Sequence, residues 1–139
     1  MAKAMKSLPP LPNDWGRLAN VLGLEVVARG RGRVQMRLPW SRPASQMAGL
    51  LHGGALFTLA DTAAAVGILP LLAPGWTTVT ATLSISYIGN IHQGAALADA
   101  RMLHFGRKTT VWEIKIREEG KRRLLAVATG TFFLLPPKL

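Results

Sequence analysis

A ten-residue segment, His52 to Asp61, holds the groups whose types and spacing are best suited to chemistry; it reads HGGALFTLAD. Asp61 is the only acidic residue between Glu25 and Asp99, and it is the only charged side chain in the apolar run from His52 to Pro70. An isolated carboxylate on an apolar helix is costly to bury, so packing alone does not explain it. Two glycines at the predicted helix start leave backbone N–H groups uncovered, and such groups attract negative charge. The segment therefore predicts a carboxylate and an oxyanion site.

The spacing of these two groups predicts that two chains share a site. Gly53 and Asp61 are eight residues apart, which is about 12 Å along a helix axis. The amide of Gly53 and the carboxylate of Asp61 in one chain cannot comfortably hold a single carbonyl group. Two antiparallel helices related by a two-fold axis would bring the amide of one subunit to the carboxylate of the other. We therefore expect a homodimer, or a dimer of dimers, with its active sites at the subunit interface.

The elements around this segment predict an α+β fold. A short helix capped by Asn13 or Asp14 is expected to run to Leu22. The helix that carries Asp61 is predicted from His52 to Leu69; it is apolar nearly all round and should be buried on most sides. Alternating apolar and polar residues predict strands at 24–28, 33–38, 78–87, 95–105, 109–117 and 123–134. We expect one long helix wrapped by a curved antiparallel sheet of five or six strands.

The last four predicted strands follow one another through short turns, which favours an antiparallel meander. The strand at 78–87 shows one uninterrupted alternation along its length. Its apolar residues, from Val79 to Tyr87, share one face. Thr80 lies with the other hydroxyl residues on the opposite face.

Composition limits the classes of protein to consider. The chain has 139 residues, 49% of them hydrophobic and 17% charged, which predicts one globular domain over residues 13–139 and apolar surface hidden by self-association. Residues 1–12 are proline-rich and are expected to be loose. The absence of cysteine excludes disulfides, a thiolate nucleophile and a cysteine zinc site. His92 and His104 lack partners at ligand spacing, so no metal or cofactor is expected.

The N-terminal segment is basic but lacks the apolar stretch of a signal peptide. The apolar run from Ala63 to Ala73 is too short and too interrupted to span a membrane. We therefore expect a cytoplasmic protein without a membrane partner.

The formal net charge of +10 favours anionic partners. The basic residues fall in three patches: Arg29, Arg31, Arg33 and Arg37; Arg101, Arg107 and Lys108; Lys121, Arg122 and Arg123. Basic residues that alternate with other residues within these patches are typical of solvated strand faces and turns. The alternative interpretation is that the patches bind a polyanionic ligand. Nucleic acid is not expected, because no aromatic residues interleave with a basic strand face and no binding motif is present.

The segment from His52 to Thr62 resembles the signature of hotdog-fold acyl-CoA thioesterases of the PaaI type, whose relatives include hydroxybenzoyl-CoA thioesterases. The resemblance continues through residues 80–87, Gly94, residues 104–107 and residues 128–132, and it covers roughly residues 15–134. It implies a hotdog fold and the hydrolysis of an acyl-CoA thioester to coenzyme A and a carboxylic acid.

The resemblance also implies roles for individual residues. The amide of Gly53 would bind the thioester oxygen, and Asp61 would be the nucleophile or the general base for water. Gln46 falls where the family has Asn or Gln, a side chain that polarises the carbonyl or holds the water. Thr80 falls where relatives carry a hydroxyl near the attacking water. His52 is expected to support the helix start rather than to act as a base.

The expected substrate-binding residues are His52, Gly54, Phe57, Gly106, Arg107 and Lys108. The acyl pocket should be apolar and lie near Phe57 and Ala60. Arg107 and Lys108 are the expected partners of the coenzyme A phosphates. The chain departs from the family after Tyr87, where it reads IGNIH in place of an Arg-Pro pair.

Two further readings stay open. A non-catalytic acyl-CoA-binding or regulatory module on the same fold would not need Asp61 together with Gly53 and Gln46. Attack by Asp61 through an anhydride and activation of water by Asp61 are equally compatible with the sequence. A serine hydrolase is not expected, because no Gly-x-Ser-x-Gly segment occurs.

Overall fold

A long helix packs against one face of a six-stranded antiparallel sheet in the computed structural model, which describes Leu8 and residues 16–138. The helices are α1 (Arg17–Leu22) and α2 (Gly53–Ile68), and a 3-10 turn follows α2 at Leu69–Leu71. The strands are β1 (Glu25–Gly30), β2 (Arg33–Pro39), β3 (Thr77–Tyr87), β4 (Ala95–Phe105), β5 (Thr109–Glu118) and β6 (Leu124–Leu135). The predicted α+β architecture is confirmed, with each strand boundary within two residues of its expected place.

The predicted meander is wrong for β3. The strand order is β1-β2-β4-β5-β6-β3, so β3 lies at an edge and pairs with β6. β4 follows β3 in the chain but pairs with β2 and β5. The inner face of β4 is a buried row of alanines, Ala96, Ala98 and Ala100. Small side chains allow α2 to lie close to the middle of the sheet, and this packing, rather than sequence order, sets the place of β4.

A β-bulge reverses the side-chain faces within β3. The pairing register with β6 shifts just after Thr80. Leu83 opposes the buried Gly130, and Thr80 opposes the buried Phe132, so both face the helix. The predicted single alternation is therefore wrong at this point: the extra residue, Ala81, changes the parity of the strand. The bulge turns the Thr80 hydroxyl toward α2.

The helix α2 has a buried side and an open side. Nine of its sixteen residues are buried against the sheet: Ala55, Leu56, Leu59, Ala60, Ala63, Ala64, Val66, Gly67 and Ile68. Gly54 and Phe57 are exposed, and Gly53 and Asp61 are half-buried. The expectation that α2 is buried on most sides is thus wrong for the stripe that runs from Gly53 through Phe57 to Asp61. Residues spaced by four lie on one face of a helix, so these three share the uncovered side.

The remaining sequence predictions concern the N-terminus and the membrane. Helix α1 begins at Arg17 after Gly16, and the predicted caps at positions 13 and 14 lie outside the described residues. The same holds for the predicted loose segment 1–12, except for Leu8, which is buried.

By length and composition alone, Gly53–Leu71 is long and apolar enough to cross a membrane. The sequence prediction considered only the shorter run from Ala63 to Ala73 and therefore did not identify this segment. Half of its most apolar window is buried in the domain, as in the core helix of a globular protein.

Candidate active site

The start of α2 presents one unused backbone donor. His52 is the N-cap, and its Nδ1 accepts a hydrogen bond from the Gly54 N–H at 2.8 Å. The N–H groups of Ala55 and Leu56 donate to the His52 carbonyl. No acceptor within the described residues takes the N–H of Gly53. Because the histidine cap uses the Gly54 amide, the Gly53 amide is the donor left to bind a ligand oxygen at this helix terminus.

Asp61 is held by the side chain that the bulge turns inward. The Thr80 hydroxyl donates to Oδ1 of Asp61 at 2.6 Å. The second carboxylate oxygen receives no hydrogen bond from the residues that the structure describes. Thr80 thus fixes the direction of the carboxylate and leaves one oxygen able to accept a proton or to attack.

Asp61 also differs from the other acidic side chains in its electrostatics. Each other acidic residue among the described residues forms an ion pair, with partners drawn from Arg33, Arg37, Arg101, Lys115, Lys121 and Arg123. Burial raises the pKa of Asp99, but hydrogen bonds from Arg33 and Arg101 outweigh it and hold this pKa below its ordinary value. Asp61 forms no ion pair within residues 16–138. A structural ion pair inside the chain therefore does not explain Asp61.

The loop before α2 brings Gln46 to the helix start. An open cleft is lined by Ser45, Gln46, Met47, Ala48 and His52. The side-chain oxygen of Gln46 accepts from the Ala48 N–H, which orders the loop. Its side-chain amide nitrogen donates to no group in the described part of the chain. Gln46 therefore offers a free N–H donor beside the histidine cap.

Tyr87 lies near the site and was not predicted from the sequence to be a site residue. The Tyr87 hydroxyl donates to the carbonyl of Gly53 at 2.7 Å, and burial raises the Tyr87 pKa. A Cβ atom on Gly53 would lie 3.3 Å from the Tyr87 ring, so the glycine lets the ring approach. An aromatic residue at the end of an alternating strand is the only sequence signal for this contact, and it is a weak one.

The expected phosphate-binding residues lie in the turn between β4 and β5. Arg107 and Lys108 are exposed, and neither forms an ion pair within the described residues. Across the sheet, Phe105 pairs with Thr110, Thr110 with Phe132, and Phe132 with Thr80. The turn is thus level with Thr80, three strand spacings or about 14 Å away. It lies at the Asp61 end of the sheet, whereas Gln46 and His52 lie at the Gly53 end.

The structure therefore separates the predicted residues into two groups. Gln46 and His52 line one cleft at the helix start, where Gly53 begins α2; Asp61 meets Thr80 two turns later. Phe57, with 37% of its surface exposed, lies between them on the open stripe. Among residues 16–138 no group of three or more His, Cys, Asp or Glu side chains is arranged to hold a metal ion.

Comparison with known proteins places this geometry in a family. The model of the thioesterase superfamily matches residues 48–125, more than half of the chain. A 1,4-dihydroxy-2-naphthoyl-CoA hydrolase from Listeria monocytogenes is 30% identical over 107 residues, which cover 77% of this chain and 87% of the relative. A proofreading thioesterase EntH from Cronobacter turicensis is 32% identical over 108 residues, or 78% of this chain and 79% of the relative.

Solved structures agree with the sequence relatives. A thioesterase from Haemophilus influenzae superposes with a TM-score of 0.81 at 28% identity, covering 86% of this chain and 82% of the other. The PaaI protein of the Escherichia coli phenylacetic acid degradation operon gives a TM-score of 0.78 at 25% identity, covering 99% and 92%. The chain belongs to the thioesterase superfamily: it has the hotdog fold of that family and is a thioester hydrolase.

Proposed function

We propose that the protein hydrolyses acyl-CoA thioesters to coenzyme A and a carboxylic acid at sites shared by two subunits. The observation that carries the proposal is the pair of unused groups on the open stripe of α2. One is the Gly53 amide, whose neighbouring N–H is already capped, and the other is the Asp61 carboxylate, which lacks a cationic partner in the described chain. A donor for developing negative charge and a free carboxylate are the two groups that attack on a thioester carbonyl requires.

The reaction follows from these groups. The thioester oxygen accepts the Gly53 N–H, with the free side-chain amide of Gln46 as a second donor, and negative charge grows on that oxygen during attack. Asp61 acts in one of two ways: it takes a proton from water as the water oxygen bonds to the acyl carbon, or it attacks that carbon itself and forms an anhydride. In both routes the C–S bond breaks and the coenzyme A thiolate leaves and is protonated. In the second route water then hydrolyses the anhydride, which releases the carboxylic acid and restores the Asp61 carboxylate. Thr80 orients the carboxylate through its hydrogen bond.

The edge strand β3 supports the two-subunit site. Its eleven residues, TTVTATLSISY, include no charged side chain, and one edge of it is unpaired within the described sheet. Proteins usually protect such an edge with charged residues or proline, because an open edge pairs with another chain. Pairing of two β3 edges about a two-fold axis would set the open stripes of the two α2 helices beside each other. The Gly53 amide of one subunit would then approach Asp61 of the other.

The open stripe also suggests the substrate. Phe57 lies at its centre and is its one large apolar side chain, which favours medium-chain or aromatic acyl groups over acetyl. One relative is named for an aromatic acyl-CoA, in agreement with this preference. Arg107 and Lys108, exposed and without ion-pair partners in the described residues, are proposed to contact the phosphates of coenzyme A. The cytoplasmic location stays a prediction.

The test begins with purified protein and a panel of short, medium, long and aromatic acyl-CoAs, with release of free thiol as the readout. We expect hydrolysis of medium-chain or aromatic substrates to exceed that of acetyl-CoA. If acetyl-CoA is the best substrate, the apolar acyl pocket is wrong.

The same assay tests Asp61 directly. Asp61→Asn keeps the size of the side chain but removes the charge that a base or nucleophile needs, so kcat should fall by about 10²–10⁴-fold. Folding and substrate binding should survive, because asparagine keeps the size of the side chain and Asp61 has no ion pair within the described residues to lose. Glu113→Gln, a half-buried acid on β5, is the matched control and should leave kcat unchanged. Normal turnover by a folded Asp61→Asn protein would exclude the mechanism, and unfolding would show that the acid is structural.

A further inference from the structure

The connection between β3 and β4 holds the backbone just before the active-site helix. Asn90 lies in this connection, where the sequence departs from the Arg-Pro pattern. Its Oδ1 accepts the Leu51 N–H at 3.1 Å, and its Nδ2 donates to the Leu51 carbonyl at 2.9 Å. One side-chain amide therefore contacts both backbone groups of Leu51, a fully buried residue whose N–H is shared with the Ile91 carbonyl at 3.1 Å. The two contacts hold the peptide units on both sides of Leu51, the second of which joins Leu51 to His52.

Asn90 is itself anchored to the sheet. Arg123 donates from Nη1 to the Asn90 carbonyl at 2.9 Å and pairs with Glu118 at 3.3 Å. The N–H groups of Ile88 and Gly89 donate to the Leu125 carbonyl on β6 at 2.8 and 3.0 Å. The connection is thus tied to β6 on one side and to Leu51 on the other.

Tyr87 completes the arrangement from the end of β3. Its hydroxyl donates to the Gly53 carbonyl, so Tyr87 and Asn90 hold the residues on either side of the N-cap, Gly53 and Leu51. Neither side chain bonds to the free Gly53 N–H. Their effect is on the backbone that presents it.

We propose that Asn90 and Tyr87 are positioning residues for the Gly53 amide, an inference that rests on the proposed function. An oxyanion donor is effective only when it lies 2.7–3.1 Å from the charged oxygen. The first turn of a helix lacks half of its backbone hydrogen bonds and frays when nothing fixes it. The Ala44 carbonyl accepts the His52 N–H at 2.8 Å, and Asn90 and Tyr87 supply the side-chain part of this fixation without touching substrate.

The kinetic test compares Asn90→Ala, Tyr87→Phe and the control His92→Ala, an exposed residue of the same connection with no hydrogen bond to the described chain. A displaced donor reduces the stabilisation of the transition state more than it reduces the binding of substrate. We expect kcat to fall by roughly 10–100-fold in Asn90→Ala and by about 2–10-fold in Tyr87→Phe. KM should stay within about threefold of the wild-type value, and His92→Ala should match wild type. Unchanged kcat in a folded Asn90→Ala protein would overturn the proposal.

Amide hydrogen exchange tests the same proposal without any activity. In Asn90→Ala, exchange should quicken for residues 51–56 and stay unchanged for residues 62–68, since only the helix start loses its support. Tyr87→Phe, an isosteric change, gives the same comparison should Asn90→Ala not fold. If the wild type hydrolyses none of the acyl-CoAs, the proposed function fails on its own. Unchanged exchange at residues 51–56 in both folded variants would refute the positioning role whether or not the wild type is active.

Discussion

In the proposed mechanism the Gly53 amide is the backbone donor at the helix start, and its availability follows from its neighbour. His52 caps the Gly54 N–H and leaves that of Gly53 unused. His52 has φ −65° and ψ 136°, the extended conformation that a residue before proline prefers. Gly53 is the first helical residue, where proline is well tolerated because its missing N–H takes no part in the helix. The backbone at this position would therefore accept a proline that removes only the donor.

Gly53→Pro should lower kcat by about 10²–10³-fold, the usual effect of losing one oxyanion donor. Gly53→Ala is the matched control, because both changes place a Cβ atom 3.3 Å from the Tyr87 ring but alanine keeps the N–H. The measurement is steady-state hydrolysis of the best acyl-CoA, with circular dichroism to verify folding. Equal activity of the proline and alanine variants would mean that the Gly53 N–H does not bind the oxyanion.

Asp99 shows the opposite situation, a carboxylate that serves stability. Its folded pKa lies below the ordinary value because Arg33 and Arg101 hydrogen-bond to it despite its burial. The stabilisation is therefore present above the unfolded pKa of about 3.8 and is lost as the pH falls through the lower folded pKa. Asp99→Asn should lower the free energy of unfolding at pH 7 by about 1.5–3 kcal/mol. Urea unfolding of both proteins should show this difference shrinking between about pH 5 and pH 2; a constant difference would contradict the ion-pair account.

At the residue scale, types and spacing were sufficient to single out Gly53 and Asp61 as candidates, because a glycine pair and a lone acid in an apolar segment are distinctive. The contact between Thr80 and Asp61 was not derivable from alternation, since it depends on the bulge at Ala81. Asn90 was also beyond prediction: an asparagine in a loop normally faces water, and only the fold shows that its amide bonds to Leu51.

At the scale of elements, the close approach of α2 to the sheet depends on Gly67. A Cβ atom at this position would lie 2.6 Å from Cη2 of Trp112 and 3.2 Å from Cγ2 of Val34. Both neighbours are fully buried core residues and cannot easily move away. The glycine is therefore kept for packing, although alanine is favoured by about 1 kcal/mol in a helix interior.

Gly67→Ala should lower the free energy of unfolding by about 1–3 kcal/mol through overpacking, in spite of its better helix propensity. Gly30→Ala is the control: a Cβ atom there meets nothing within 4 Å, so the change should be nearly neutral. Urea denaturation with a fitted midpoint and slope measures both. A Gly67→Ala protein as stable as wild type would show that Trp112 has room to shift.

Alternation along the chain predicted all six strands and their approximate limits, because the period of two is a local property. The order of the strands in the sheet could not be predicted from this local pattern. Which strands become neighbours depends on the side chains that pack beneath α2, such as the alanines of β4, and on the connection 88–94 that takes the chain from the edge to the middle of the sheet. The pairing of β3 with β6 is a property of the assembled core.

At the scale of the whole molecule, a net charge of +10 on each chain opposes self-association, so the contact surface must avoid like charges. The edge strand β3 satisfies this condition, since it has no charged side chain. The opposite edge strand, β1, contains Glu25 and Arg29, as protected edges commonly do. The two edges of the sheet thus differ in kind, and the difference favours pairing through β3.

The proposed site between two subunits makes a prediction that no single variant can test. Asp61→Asn and Gly53→Pro subunits should each be nearly inactive as homodimers. In a mixed dimer, one site combines the intact Gly53 of the first subunit with the intact Asp61 of the second, and the other site carries both defects. Random pairing after joint refolding makes about half of the dimers mixed, so about one quarter of the wild-type activity should return.

The mixture should be assayed beside each variant refolded alone, with light scattering to establish that the 15.0 kDa chain forms a dimer or a dimer of dimers in every sample. If each chain contained a complete site, every site in a mixed dimer would carry one defect and no activity would return. Activity of a monomer at the assay concentration would contradict the shared site just as directly, because the amide of Gly53 and the carboxylate of Asp61 are about 12 Å apart along one helix.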